Sequence, residues 1–199
     1  MNVPRSVWLV FGMLLILGCG KPIANINSKG NSIVCFGDSL TAGYGADEGQ
    51  DYPSFLRQKV KLKVYNAGVS GDTTADGLVR LEQDALDKNP KIVIITLGAN
   101  DFLHRVPKEQ ILKNMENIID RIQKQGAMVV WATVKTGFFT DAYERDFKQL
   151  ATRKHILLIA DILKDIMYEP HYKYDQIHPN GAGYKFMADR IYLAIKPFI

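Results

Sequence analysis

The sequence predicts a three-layer α/β/α fold, with helices on both faces of a parallel sheet of about five strands. Three observations point there. Short apolar runs alternate with amphipathic segments along about five units, and parallel neighbours need such crossover connections. One run, Ile92-Val93-Ile94-Ile95-Thr96-Leu97, is continuously apolar and β-branched, as a strand covered on both faces is. Turn residues follow several of the runs, at the carboxyl ends where open α/β sheets place their chemistry. The expected strand order is flavodoxin-like, 2-1-3-4-5, which makes the first and third strands neighbours.

The elements follow in order. Ile33-Val34-Cys35-Phe36 reads as a buried strand that runs into Gly37-Asp38-Ser39-Leu40. Residues 52–60 have helical apolar spacing with Pro53 near the start, where proline is tolerated. Lys63-Val64-Tyr65-Asn66 is a second strand, and the turn-rich stretch 67–74 follows it. Asp72 or Thr73 is the candidate N-cap of a helix over 75–87. After the third strand come Gly98-Ala99-Asn100-Asp101, then a long amphipathic helix from Pro107 to about Gln125, closed by Gly126. Met128-Val129-Val130-Trp131-Ala132 is the fourth strand, 135–140 a loop, and about 141–152 a helix. Ile156-Leu157-Leu158-Ile159-Ala160 is the fifth strand. A short helix over 162–167, a loop over 174–181 and a terminal helix from about Ala182 to Ile195 complete the chain.

The N-terminus stands apart. A weakly basic start precedes the apolar run from Val7 to Cys19, too short to span a bilayer comfortably and laid out like a secretory leader. Ile16-Leu17-Gly18-Cys19 resembles a bacterial lipobox, with Leu17 the departure from the usual small residue. The reading is a lipoprotein signal peptide at 1–18, lipid attachment at Cys19, a tether over 19–31 and one folded domain over 32–199. Diacylglyceryl plus amide-linked acyl chains meet the two-signal requirement for stable anchoring. A signal anchor and a cleaved leader are the alternatives. Cys35 is then a lone thiol in the first strand and no disulfide is expected. The formal net charge of +4 does not predict nucleic-acid binding, and no aromatic-basic interleaving supports it. A monomer is expected, with no cofactor and no metal, since the His and Cys residues lack ligand spacing.

Serine alone is a poor nucleophile and needs a base and an oxyanion site elsewhere. His178, in Asp175-Gln176-Ile177-His178-Pro179, is the candidate base, with Asp175 placed to orient its ring. Alone, Gly37-Asp38-Ser39 also reads as a turn, Asn100 as a left-handed turn residue and His178 as a helix-entry histidine. Asp38, Asp72 and Asp101 are rival acids. Asp38 is expected to brace its turn through backbone hydrogen bonds. His104, His155 and His171 lack a comparable partner.

Taken together, four blocks resemble the SGNH hydrolases, or GDSL esterases and lipases: Gly37-Asp38-Ser39-Leu40, Ser70-Gly71-Asp72, Gly98-Ala99-Asn100-Asp101 and Asp175 to Pro179. Their order and spacing are similar to those of the thioesterase I, lysophospholipase L1 and arylesterase subgroup. The resemblance implies a catalytic Ser39, Asp175 and His178. It also implies an oxyanion site made by the N–H groups of Ser39 and Gly71 and the side chain of Asn100. The implied reaction is hydrolysis of short-to-medium acyl or aryl esters or thioesters, with lysophospholipid and acyl-CoA in scope. The apolar residues of Phe102-Leu103-His104-Arg105-Val106 are expected to line an acyl groove, with Phe138 and Phe139 as its far wall. Alternatives are a carbohydrate O-acetyl esterase and a silent envelope-binding lipoprotein. The expected location is the cell envelope, facing the periplasm, and by family analogy the outer membrane of a Gram-negative cell.

Overall fold

The computed structural model describes residues 22–135 and 141–199; Cys19, Phe138 and Phe139 lie outside them. Five parallel strands form one sheet in the order β2-β1-β3-β4-β5, as expected. They are β1 (Ser32–Gly37), β2 (Lys63–Gly68), β3 (Pro90–Thr96), β4 (Met128–Ala132) and β5 (Leu157–Ile159). Ser32 is level with Lys63 and Pro90, and Gly37 with Gly68 and Thr96. The carboxyl ends of the three strands therefore open onto one crevice.

Side chains alternate across each strand. Val34, Phe36, Val93, Ile95, Val129 and Trp131 face one layer, formed by α3 (Thr74–Asp84), α5 (Lys108–Lys124) and α6 (Asp141–Arg153). Ile33, Cys35, Ile92, Ile94, Met128 and Val130 face the other, formed by α2 (Tyr52–Arg57) and α7 (Gly181–Ile195). On α5, Ile111, Met115, Ile118, Ile119 and Ile122 are fully buried. Each such side chain contributes roughly 1.5–3 kcal/mol of transfer free energy. Gly126 follows the helix at φ +89°, a left-handed exit that glycine takes without a Cβ penalty.

Three local expectations differ. The helix over 75–87 stops at Asp84 and a 3-10 turn over Leu86–Lys88 follows. The segment 162–167 is a run of turns rather than a helix. Ile162, Leu163 and Ile166 are buried, so their spacing mimics a helical face. Asp161, just before the segment, and Asp165, within it, take φ of +51° and +67° and break the helical path. Two single-turn helices appear where turns were expected, α1 (Ser39–Ala42) and α4 (Ala99–Leu103).

The end of the expected tether is pinned to the base of the sheet, where the strands begin. Ala24 N–H donates to the His155 carbonyl at 2.8 Å, and Asn31 N–H to that of Asn89 at 3.0 Å. Asn25 donates its side-chain amide to the Gln123 and Ala127 carbonyls at 2.9 and 3.0 Å, satisfying acceptors at the end of α5.

Candidate active site

Ser39 opens α1, immediately beyond β1. Asp38 is the N-cap, its Oδ1 accepting the Leu40 N–H at 3.0 Å, so it braces the turn as expected. Gly43 ends the helix at φ +89°. Beneath the elbow the hydroxyls of Thr41 and Thr96 bond to one another, and Tyr52 Oη lies 3.1 Å from Thr41 Oγ1. A Cβ on Gly37 would occupy the space of those two hydroxyls. Sequence and packing thus hold Ser39 at a fixed height above the sheet. Burial pushes the Asp38 carboxyl up to about 7, against the Leu40 hydrogen bond and with help from the nearby Asp72 and Asp101 carboxylates.

His178 arrives on a loop folded back on itself. Lys173 and Pro179 form an antiparallel bridge, and Tyr174 N–H donates to the His178 carbonyl at 3.0 Å. Asp175 Oδ1 accepts the N–H groups of Ile177 and His178, both at 2.7 Å. The same carboxylate meets the ring: His178 Nδ1 lies 2.9 Å from Oδ2, and Nε2 lies 3.0 Å from Ser39 Oγ. With the proton on Nδ1, Nε2 is the acceptor for the serine hydroxyl. Partial burial pushes the Asp175 carboxyl up. Hydrogen bonds from the imidazole and from the two backbone N–H groups outweigh that and leave it below its ordinary value. The Tyr44 ring packs 4.7 Å from the imidazole, centroid to centroid.

Gly71 and Asn100 lie on the segments that follow β2 and β3. Gly71 is exposed at φ +89°, and no protein atom would meet a Cβ there; the positive φ is what asks for glycine. Asn100 sits on α4 and donates its side-chain amide to the Asp72 carbonyl at 2.9 Å, tying α4 to the glycine loop. Of the two candidates for the cap of α3, Thr73 takes it, in a capping box with Asp76. Asp72 instead pairs with Arg80 Nε at 2.5 Å. The same guanidinium donates to the carbonyls of Gly37 and Ala67 at 2.9 Å each, so one side chain joins the ends of β1 and β2 to the loop. Asp101 is buried, accepting the Thr74 N–H at 2.8 Å and its hydroxyl at 2.5 Å, which fixes α4 against α3.

A cavity of about 80 Å³ is lined by Ser39, Asn100 and His178 together with the apolar Phe102, Leu103, Val134, Leu163 and Ile177. A larger hollow of about 540 Å³, among Val134, Phe147 and Leu158 at the ends of β4 and β5, is lined by none of Ser39, Asn100 or His178. The structure therefore brings Ser39, Asp175, His178 and Asn100 to one crevice, across chain separations as large as 139 residues, and puts Gly71 on the loop beyond β2, next to the Asp72 whose carbonyl Asn100 holds. Sequence reasoning missed Arg80 and the Thr41–Thr96 pair. The i,i+4 spacing of Arg80 and Asp84 was a signal for the first; nothing local marked the second.

A serine, an imidazole and a carboxylate in hydrogen-bonded series can move a proton off the hydroxyl as it attacks a carbonyl. On a sheet of this order that describes the class of SGNH serine hydrolases. Residues 35–186 match the GDSL-like Lipase/Acylhydrolase family; the chain belongs to it and is a carboxylic ester hydrolase. An arylesterase of Vibrio mimicus is 30% identical over 187 residues, covering 88% of this chain and 92% of that protein. The thioesterase 1/protease 1/lysophospholipase L1 of Escherichia coli K12 is 26% identical over 177 residues, 85% of each chain. The crystal structure of TesA, 25% identical, superposes with a TM-score of 0.78 over 84% of this chain and 99% of that one.

Proposed function

We propose that the protein hydrolyses short-to-medium acyl or aryl esters, or thioesters, through an acyl-enzyme on Ser39. The observation that carries this is the unbroken series Ser39 Oγ, His178 Nε2, His178 Nδ1 and Asp175 Oδ2, with links of 3.0 and 2.9 Å. His178 takes the hydroxyl proton as Oγ bonds to the carbonyl carbon, then returns it to the leaving alkoxide, phenolate or thiolate. Water repeats the sequence on the acyl-serine, releasing the acid and the free hydroxyl. The oxyanion is received by the N–H groups of Ser39 and Gly71 and by Asn100. The Asn100 amide has two N–H bonds and gives one to Asp72, which leaves the other for substrate.

The apolar wall of Phe102, Leu103, Val134, Leu163 and Ile177 and the small volume favour an acyl chain of a few carbons. A second reading, removal of acetyl groups from carbohydrate, draws on Tyr44 and Tyr174. Both rings are exposed and meet edge to face beside His178, a platform on which a sugar ring can stack. The Ser39–His178–Asp175 series speaks against a silent binding module. In this reading Cys19 carries the lipid and the enzyme works in the cell envelope, as a monomer. Among the described residues no helix is long and apolar enough to cross a membrane.

The test is Ser39→Ala against a series of p-nitrophenyl esters. The variant should lose turnover of every ester and lose labelling by a fluorophosphonate; retained turnover overturns the assignment. An optimum at acetyl in the wild-type series would move the proposal to the carbohydrate reading.

A further inference from the structure

We propose that the base of the domain, the end of the sheet away from Ser39, is a docking surface for anionic lipid headgroups. Every strand starts there, and lysines cluster at those starts. Lys29 precedes β1, Lys61 and Lys63 open β2, Lys88 and Lys91 flank the start of β3, and Lys124 ends α5 just before β4. The register places Lys63, Ser32 and Pro90 in one row across the sheet, so these charges share a face.

Most of that charge is uncompensated. Lys29, Lys61, Lys88 and Lys124 make no ion pair among the described residues. Lys91 donates to the neutral Ser28 carbonyl at 3.1 Å, and Lys63 lies 4.5 Å over the Tyr65 ring. Lys154, at the same end, is matched by Glu116 and Asp120. Asp87, exposed in the 3-10 turn before β3, is the acid beside Lys88. At the opposite end the charges are mixed: Asp47, Glu48, Glu169 and Asp175 are exposed, as are Arg105 and Lys164, and Asp165 pairs with Arg190 at 3.3 Å.

Helix ends alone do not account for the cluster. Cations gather at helix C-termini to complement the macrodipole, which covers Lys124. It does not cover Lys29, Lys61, Lys63 or Lys91, which lie in connectors and strand starts. Ile26 is an exposed apolar side chain in the turn beside them. A basic face with an apolar tip is what an anionic leaflet attracts.

The path of the chain supplies the second, independent argument. Residues 24–31 are bonded to this same face through His155, Asn89, Gln123 and Ala127. Cys19 lies three residues before Pro22, a reach of no more than ~11 Å. If Cys19 is the anchor, this face is held against the bilayer, and Ser39 stands ~20 Å above it across the six residues of β1. That orientation rests on the reading of Cys19; the affinity of the lysine face does not.

The experiment is hydrogen–deuterium exchange on the full chain, isolated in its processed form. It is mixed with phosphatidylglycerol-containing vesicles or with pure phosphatidylcholine vesicles, at low and high salt. Amides of residues 22–31 and 86–91 should exchange more slowly with the anionic vesicles at low salt, and those of 37–44 should not change. A Lys29→Gln, Lys61→Gln, Lys88→Gln, Lys124→Gln variant should lose the slowing while hydrolysing p-nitrophenyl butyrate at the wild-type rate. Each neutralised charge should weaken the contact about fivefold. Equal exchange in the two vesicle types, or an anionic-over-neutral difference that persists in the variant or at high salt, overturns the proposal. The mass of the N-terminal peptide reports separately whether Cys19 is acylated.

Discussion

Replacing Asp175 by Asn isolates what the carboxylate does for the imidazole. Oδ1 accepts two backbone N–H groups at 2.7 Å, and an amide oxygen can keep both, so the loop should hold its shape. What changes is the face toward the ring. An amide N–H placed 2.9 Å from Nδ1 forces the proton onto Nε2, where it points at Ser39 and blocks acceptance. The imidazolium formed during attack also loses its counter-charge. The Asp175 side chain is 40% exposed, so an effective dielectric of ~40–80 applies, and at 2.9 Å that attraction is about 1.4–2.9 kcal/mol. The misdirected hydrogen bond to a charged group adds about 1.5–3 kcal/mol. Together these lower kcat by ~10²–10⁴, somewhat less than a buried triad acid gives. Steady-state kinetics on p-nitrophenyl butyrate should show the loss in kcat, with KM within about threefold and an unchanged melting temperature. A kcat within tenfold of wild type would refute the role given to the carboxylate.

Two further perturbations probe the scaffold. Arg80→Met strands the Asp72 carboxylate and frees the carbonyls of Gly37 and Ala67. Breaking such a partly buried pair should cost about 3–5 kcal/mol in urea unfolding, and a change below about 1 kcal/mol would show that the network is not holding the strand ends. Asp38→Asn should flatten the pH dependence of stability. A carboxyl raised in the fold from 3.8 to about 7 binds more protons folded than unfolded between those values. Its contribution is therefore complete below about pH 4 and declines as pH rises to about 7, by up to ~1.4 kcal/mol per pH unit. Thermal melts at pH 5 and pH 8 should differ less in the variant; an unaltered difference would mean that Asp38 titrates at its ordinary value.

The strands were legible because burial on both faces forces long apolar, β-branched runs, and Ile92 to Leu97 leaves little room for another reading. That Ser39, His178 and Asp175 would meet was legible because few residue types can form such a hydrogen-bonded series. The short helices α1 and α4 were not, since Ser39–Ala42 and Ala99–Leu103 are too short to show a helical period and each follows a turn-forming Gly or Asp, their single turn being decided by contacts from elsewhere, such as Asp101 to Thr74. The turns over 162–168 were misread because burial of Ile162, Leu163 and Ile166 reproduces helical spacing without helical dihedrals. Asp72 had two capping candidates' worth of local logic, and a distant partner, Arg80, decided between them.

Cys35 sits at the centre of β1, inaccessible, with burial raising its thiol to about 12. A sulfhydryl in that state reacts with no alkylating reagent while the sheet is closed, since neither the thiolate nor a path to it is present. Its modification rate is consequently a built-in clock for opening of β1, the strand that leads into Ser39, and it can be read by mass without adding any label to the chain.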